Sequence, residues 1–388
     1  MSAIAFQVAQ ASGSQPAALA GQILEQLDRQ SLPHQPCLGL IYLTRQAEPM
    51  FAQMVEPLRE QLPSVQWVGA VADAIIANDD EFADAPAACA MLMALPAGSW
   101  QVFNGQGPLT TNMHTALVHA DPRAPELGQL ISELAARTRT GYLFGGLTAA
   151  SPARPTQISL ARQLSGGLSG VGFDERVQLL SRVTQGCTPL APEHEITECR
   201  SQFVIELDGR PALDVLLEDL DVDQAAGRTR DGDEILRALP ADRLRQGLLV
   251  GLAESRQDRP MGFGDYQVTN LVGIDPENRL LAVAGHPADG NRLVFCTRDR
   301  EAARRDLIRA CTELRDQIES DRLSVLGAHF VSCVARGEAL FGTRGAESRL
   351  VRHNLGDVPV VGFYANGEIA RERLYGFTGV ITLFVVPA

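Results

Sequence analysis

The chain has 388 residues, too many for one ordinary hydrophobic core, and with 45% apolar and 21% charged residues it has the composition of a globular protein, neither disordered nor fibrous. A formal net charge of −13 works against general attraction to nucleic acid or anionic lipid, both of which want a basic face. All 34 basic residues are arginine, which excludes a Walker A lysine, a Schiff-base lysine, a kinase lysine and a Ser-Lys nucleophile pair.

In chain order, Ile4 to Val8 reads as a short strand, and residues 15 to 31 carry Leu19, Ile23, Leu24 and Leu27 at helical spacing. Cys37 to Leu43 is a compact apolar run that suits a buried strand, and Met50, Met54, Val55, Leu58 and Leu62 mark one face of the next helix. Strands are expected at Gln66 to Val71, Ala88 to Leu95 and Trp100 to Phe103, and a helix around Leu127, Leu130, Ile131 and Leu134. After residue 140, GYLFGGLTAAS, GGLSGVGF and VQLLSRVTQG look like strands joined by tight glycine turns. Residues 188 to 200 carry two prolines and no apolar period, which places a domain boundary there, with domains 1–195 and 196–388.

The second half opens on a strand, Phe203 to Leu207, and a helix through Leu213, Leu216, Leu217 and Leu220 with Pro211 in its first turn. Residues 221 to 246 read as a solvated excursion. Leu248 to Leu252, Gln267 to Ile274, Leu280 to Val283 and Arg292 to Cys296 are strand-like, and residues 299 to 318 form a long amphipathic helix. A strand (325–333), a loop, a helix (346–355), a strand (358–364), another loop and a final strand (376–386) follow. WVGAVADAII (67–76) and VVGFYANGEI (360–369) share Val, Gly, Ala and the closing Ile, an internal echo that suggests a duplicated fold. The expected class is α/β: two related halves with mixed β-sheets flanked by helices, a layered α-β-β-α stack being one arrangement.

No apolar run approaches the ~20 residues of a membrane helix, so no membrane insertion is expected. The N-terminus has neither a basic region nor an apolar block, and the seven cysteines are scattered without a C-x-x-C pair. A cytoplasmic location follows as the expectation.

Among reactive residues, Cys333 sits four positions after His329 on one predicted strand, about 13 Å away, too far for direct activation. Cysteine is also among the residues most often simply buried, so packing stands against a cysteine-dependent hydrolase. Arg336 and Glu368 each lie just past a predicted strand, in ARGEALFG and YANGEIA. An arginine fork there suits a carboxylate, Glu368 an amine and Asn366 an amide contact, with Phe341 and Tyr364 as apolar walls. The alternative is an Arg336–Glu368 pair stapling two loops. The histidine spacings support no structural metal site, although His114 or His119 could hold a haem iron from one side.

The motifs LFGGLTAAS (143–151), SRVTQGCTPLAP (181–192), VIELDGRPALDVL (204–216), NLVGIDPEN (270–278), FVSCVARGEALFG (330–342), VVGFYANGEIA (360–370) and YGFTGV (375–380), in this order, resemble the FIST proteins, with an N-terminal and a C-terminal FIST domain. The stretch GAVADAII (69–76) lacks the cysteine and Gly-Glu that relatives often show, and Ala365 replaces a frequent cysteine before Asn366, Gly367 and Glu368. The resemblance implies a sensory protein of signal transduction that binds a small ligand such as an amino acid and needs no cofactor. It also implies an alternative, a haem-binding nitric oxide sensor acting on a partner histidine kinase. The ligand loops would then be built from Cys333, Arg336, Gly337, Phe341, Tyr364, Asn366, Gly367 and Glu368.

Overall fold

The computed structural model describes residues 6–27, 36–105, 113–151, 156–222, 231–240, 247–254 and 266–388. The chain divides into two units, one of Met1–Thr184 with Leu307–Ala388 and one of Gln185–Asp306. A boundary at residue 195 falls inside a strand of the second unit.

The first unit is built from one βαβ pattern written three times. The first copy comprises β1 (Gln7–Ser12), α1 (Pro16–Gln26), β2 (Cys37–Thr44), α2 (Phe51–Gln61), β3 (Val65–Ala72), β4 (Ala74–Ala77), β5 (Asp80–Phe82) and β6 (Ala87–Met93). Residues 4–5 and 28–31 of the expected first elements lie outside the described residues. The second copy comprises β7 (Trp100–Phe103), β8 (Thr115–Ala120), α3 (Leu127–Ala136), β9 (Leu143–Leu147), β10 (Gln157–Ser159), β11 (Arg162–Leu164) and β12 (Leu168–Phe173). The third begins at β13 (Gln178–Gln185), and the chain then leaves for the second unit.

In that second unit lie β14 (Cys187–Pro189), β15 (His194–Arg200), β16 (Phe203–Leu207), β17 (Arg210–Pro211), α4 (Ala212–Asp219), α5 (Gly232–Ala238), β18 (Leu248–Ala253), β19 (Gln267–Asp275), β20 (Leu280–Val283) and β21 (Arg292–Arg298). Helix α6 (Arg300–Ser320) returns the chain, and the third copy resumes with β22 (Leu323–Cys333), α7 (Gly337–Phe341), α8 (Ala346–Leu355), β23 (Val360–Ala365), β24 (Glu368–Ala370), β25 (Arg373–Tyr375) and β26 (Thr378–Pro387).

Each copy supplies four strands to its own sheet and lends a hairpin to another. The sheet orders are β1-β6-β2-β3-β10-β11, β7-β12-β8-β9-β24-β25 and β13-β26-β22-β23-β4-β5. The pairs β2/β3, β8/β9 and β22/β23 are parallel, as a helical crossover requires. Hairpin β4–β5 closes the third sheet, β24–β25 the second and β10–β11 the first, so the three sheets form a ring. One device recurs at every junction. Gly69, Gly145 and Gly362 lie so close to the neighbouring parallel strand that a Cβ would sit 1.7, 2.0 and 1.7 Å from the carbonyl oxygens of Ile41, Val118 and Phe330. The borrowed hairpins set Ile158, Ile369 and Ile76, all fully buried, opposite these glycines. The echo between 67–76 and 360–369 is this device, and a third copy of it runs through the strand at 143–147.

The strands β2, β6, β8 and β23 are buried along their whole length, so they show no alternation of inward and outward residues. One core, including Leu40, Phe144, Phe173, Phe363 and Phe384, is shared by all three sheets. Helices α1 and α2 cover the outer face of the first sheet through Leu19, Ile23, Met54 and Leu58, and α3 covers the second through Ile131 and Leu134. These are mixed sheets flanked by helices, the α/β class expected.

At the centre of that core three polar rings meet. The Tyr42 hydroxyl lies 3.0 Å from Nε2 of His119 and 2.6 Å from Nε2 of His329, with all three side chains buried. A hydroxyl has one proton to donate, so one imidazole must donate to it. His119 Nδ1 has no partner, and leaving a lone pair unmatched costs less than leaving an N–H unmatched. His119 therefore donates through Nε2–H, and Tyr42 donates to His329. Burial pushes both imidazoles down to about 3, so the relay is neutral.

In the second unit β21, β15, β16, β20, β19 and β18 are joined edge to edge, and the β21–β18 pairing closes the ring. Its core takes Leu213, Leu216, Leu217 and Leu220 from α4 and its C-cap beside Ile196, Leu207 and Phe295. Two expectations change here. The stretch 188–200 holds β14 and β15 rather than a linker, because Ile196 turns inward while Glu195 and Thr197 stay exposed. The excursion 221–246 holds helix α5, nucleated by Asp231, whose side chain accepts from the Asp233 N–H. Residues 223–230 and 241–246 of that excursion lie outside the described residues.

His194 links two carboxylates in this unit, Nδ1 to Asp208 at 2.6 Å and Nε2 to Asp219 at 2.9 Å. The bond to Asp219, opposed by burial and helped by Asp208, raises its pKa above the usual 6.5. A raised folded-state pKa stabilises fully below the unfolded value and is lost as pH rises through the folded one. The stability gap between the protein and His194→Gln should therefore be wide at pH 5.5 and narrow by pH 8.5 in urea unfolding. A gap that widened with pH would contradict this assignment.

Candidate functional site

Each second strand of a copy ends in a loop carrying an arginine that meets a carboxylate. Arg45 after β2 pairs with Asp73, and Arg123 after β8 pairs with Asp121 at 2.7 Å. Both arginines are partly in solvent, with side chains 42% and 39% exposed. Arg336 after β22 is the exception, at 1%.

The loop after β22 turns sharply, with the Arg336 N–H on the Cys333 carbonyl at 2.8 Å, and Gly337 takes the left-handed conformation at φ +48°. A side chain at Gly337 would also press on the Tyr364 ring, 3.0 Å away. Arg336 is thereby turned inward and donates from Nε to Glu347 Oε1 at 2.8 Å, with Nη2 2.7 Å from the same oxygen. Ser332 Oγ and the Gly337 N–H donate to Glu347 Oε2. Phe341 covers the guanidinium at 5.4 Å. Beside this set, Glu81 accepts from the Ser348 N–H and hydroxyl and interacts with the Tyr364 phenol.

Arg336 thus faces Glu347 rather than the Glu368 of the alternative staple, which feels the guanidinium through its charge. Glu368 instead accepts from the Thr378 N–H at 3.0 Å, the Thr378 hydroxyl at 2.8 Å, and the Gly367 N–H at 3.3 Å. Burial raises its carboxyl to about 7 against these bonds. The Cys333 thiol, which bonds to Glu368, is pushed up to about 12 by burial and by that carboxylate. It faces a carboxyl and no imidazole, since His329 is engaged with Tyr42, so the geometry gives no support to a thiolate nucleophile. Phe341 and Tyr364 are buried walls of this packed region, and Gly367, at φ +141°, abuts Leu147. Asn366 points into solvent at the loop tip.

The first unit also carries an open groove of about 460 Å³. Its floor and walls include Tyr142, Phe144, Ser181, Arg182, Thr382 and His114. Tyr142 donates to Ser181 Oγ at 2.8 Å, and Ser181 lies 2.9 Å from the Thr382 hydroxyl. Arg182 donates from Nε to Glu313 at 2.9 Å, from Nη2 to Gln317 at 3.1 Å and from Nη1 to the Ser181 carbonyl at 2.9 Å. A groove of this size with convergent hydroxyls and one cation suits a small polar ligand.

The two histidines offered as haem ligands sit in different surroundings. His119 is sealed in the core between Tyr42 and Phe363 with Nε2 engaged. His114 borders the groove, whose lining mixes Thr140, Glu175, Gln178 and Arg182 with Phe144, Val177, Leu179 and Leu180.

Residues 37–210 match the FIST N domain and residues 212–371 the FIST C domain. The chain belongs to the FIST family. Its relatives include uncharacterized protein Rv0628c of Mycobacterium tuberculosis, 26% identical over 367 residues and covering 90% of this chain and 91% of that protein. Uncharacterized protein Mb0898c of Mycobacterium bovis is 27% identical over 385 residues, 94% of each chain. FIST domains are associated with sensing in signal transduction. In this FIST chain the second compact unit takes the end of the N domain match and the start of the C domain match, whose junction falls beside Pro211 between β17 and α4. No helix of the described residues is long and apolar enough to cross a membrane.

Proposed function

We propose that this FIST protein is a sensor that binds a small ligand carrying a carboxylate, amino-acid-like in size, in the groove of its first unit, and passes the signal to a separate protein such as a histidine kinase. The observation that supports this reading is the open groove in which Arg182, Tyr142, Ser181 and Thr382 converge. The Arg336 loops, by contrast, are filled by their own counter-charge, Glu347, and in this reading they brace the fold. A guanidinium offers a planar fork to the carboxylate, and the hydroxyls take the remaining polar atoms.

A thermal-shift panel of amino acids and two- to six-carbon carboxylates tests the reading. A ligand present at ~100 times its Kd should add about 2.7 kcal/mol to stability. Arg182→Gln should abolish that shift while leaving the unliganded midpoint nearly unchanged, because a half-exposed ion pair contributes only about 0–1 kcal/mol. No shift from any compound, or a full shift in Arg182→Gln, would overturn it.

A further inference from the structure

In the first copy the chain reaches β2 from β1 by way of α1, and in the second copy β7 ends at Phe103 and β8 begins at Thr115. In the third copy the whole second unit stands between β13 and β22. That unit is therefore an insertion at one defined point of a threefold pattern. Strand β13 carries the chain out to it, and helix α6 brings the chain back.

The groove is lined by both of these segments, Ser181 and Arg182 from β13 and Gln317 from α6. Arg182 joins them side chain to side chain, through Glu313 and Gln317, two positions one turn apart on α6. The pair is accessible, with Arg182 32% and Glu313 41% exposed. Glu313 has a second cation in Arg309 one turn earlier on the same helix, so it keeps a partner if Arg182 leaves. Arg336 is held differently, because its partner Glu347 is sealed in with it.

Resting on the ligand reading above, we propose that Arg182 is a ligand-responsive clamp: a carboxylate in the groove takes its guanidinium from Glu313 and Gln317, and occupancy is read as loosening of β13 from α6 at the root of the inserted unit. The exchange is close to balanced, since one exposed Arg–carboxylate contact replaces another. Small differences in ligand geometry then decide the state of the stem, which is what a sensor requires. Arg182 would be the ligand contact, with Glu313 and Gln317 as positioning residues. By linkage, the contact that the ligand breaks must also weaken the ligand's own binding.

The full-length protein is measured by hydrogen exchange and thermal shift with acetate, succinate and L-glutamate as probes. Saturation should speed amide exchange in residues 178–184 and 310–320 and leave the Tyr42 strand unchanged. Glu313→Gln should show the faster exchange without any probe and should bind the shifting probe about 3- to 5-fold more tightly, the reward of removing a competing contact of up to ~1 kcal/mol. A thermal shift in the wild type with no change in exchange, or with equal or weaker binding in Glu313→Gln, overturns the clamp and leaves the ligand reading standing. No thermal shift with any of the three probes overturns the clamp as well, and the wider panel then decides the ligand reading by itself.

Discussion

Gly362→Ala should cost more than about 4 kcal/mol and drive much of the protein out of the soluble fraction. The added methyl would stand 1.7 Å from the Phe330 carbonyl oxygen, and the atom it meets is backbone of the adjacent parallel strand, with no rotamer to yield. Relief requires β22 and β23 to separate, which breaks their ladder and dislodges Ile76 opposite. Gly69→Ala and Gly145→Ala meet the same obstacle at Ile41 and Val118 and should fail alike. The control is Gly21→Ala in α1, where no atom lies within 4 Å of the new methyl. That change should be neutral or stabilise by up to about 1 kcal/mol, because alanine is the better helix former. Urea unfolding of the four variants is the measurement. A mild effect at Gly362 would mean that the parallel strands lie further apart than described.

Arg336→Met should be nearly as damaging, by about 3–5 kcal/mol, because it leaves Glu347 buried and charged without its counter-ion. If the damage comes from unpaired charge, Arg336→Met with Glu347→Gln should recover part of the loss, since the amide still accepts from Ser332 and Gly337 but carries no charge. The thermal midpoint of the single variant should fall by roughly 6–20 °C for a unit of this size. Ligand-induced shifts in the double variant should persist, because the groove lies elsewhere. A loss below about 1 kcal/mol for Arg336→Met would remove the bracing role.

Much of this fold was legible, and the misses have physical causes. The helices announced themselves by period, as Met54, Val55 and Leu58 do on α2. The repeat was half visible: Gly69 and Ile76 share their spacing with Gly362 and Ile369, but in the second copy a longer connection separates Gly145 from Ile158 and hides the pattern. Thr115–Ala120 is buried on both faces, so it shows no alternation, and its histidine suggested a ligand where the structure has a core relay. At the candidate site, Arg336 was singled out but its partner was not. Glu347 looks like an ordinary first-turn acid of α8, and only its spacing of one turn from buried Val351 placed it on the inner face. Arg182 could have been found as a charge in the middle of a strand. The groove around it joins residues from distant parts of the chain, which no local pattern encodes.

The ring of exchanged hairpins also governs how the protein must be made. Strand β4 (Ala74–Ala77) leaves the ribosome long before its partner β23 (Val360–Ala365) is synthesised. At translation rates of about 5–20 residues per second, Ile75 and Ile76 wait on the order of tens of seconds for Phe363 and Gly362. Through that interval an apolar strand edge stands open, and the first sheet likewise awaits the hairpin of the second copy. No copy can mature as it emerges, so the first unit cannot close until β23 and the strands that follow it have been made. Chains truncated before β23 should therefore accumulate as chaperone-bound or aggregated species rather than as smaller folded domains.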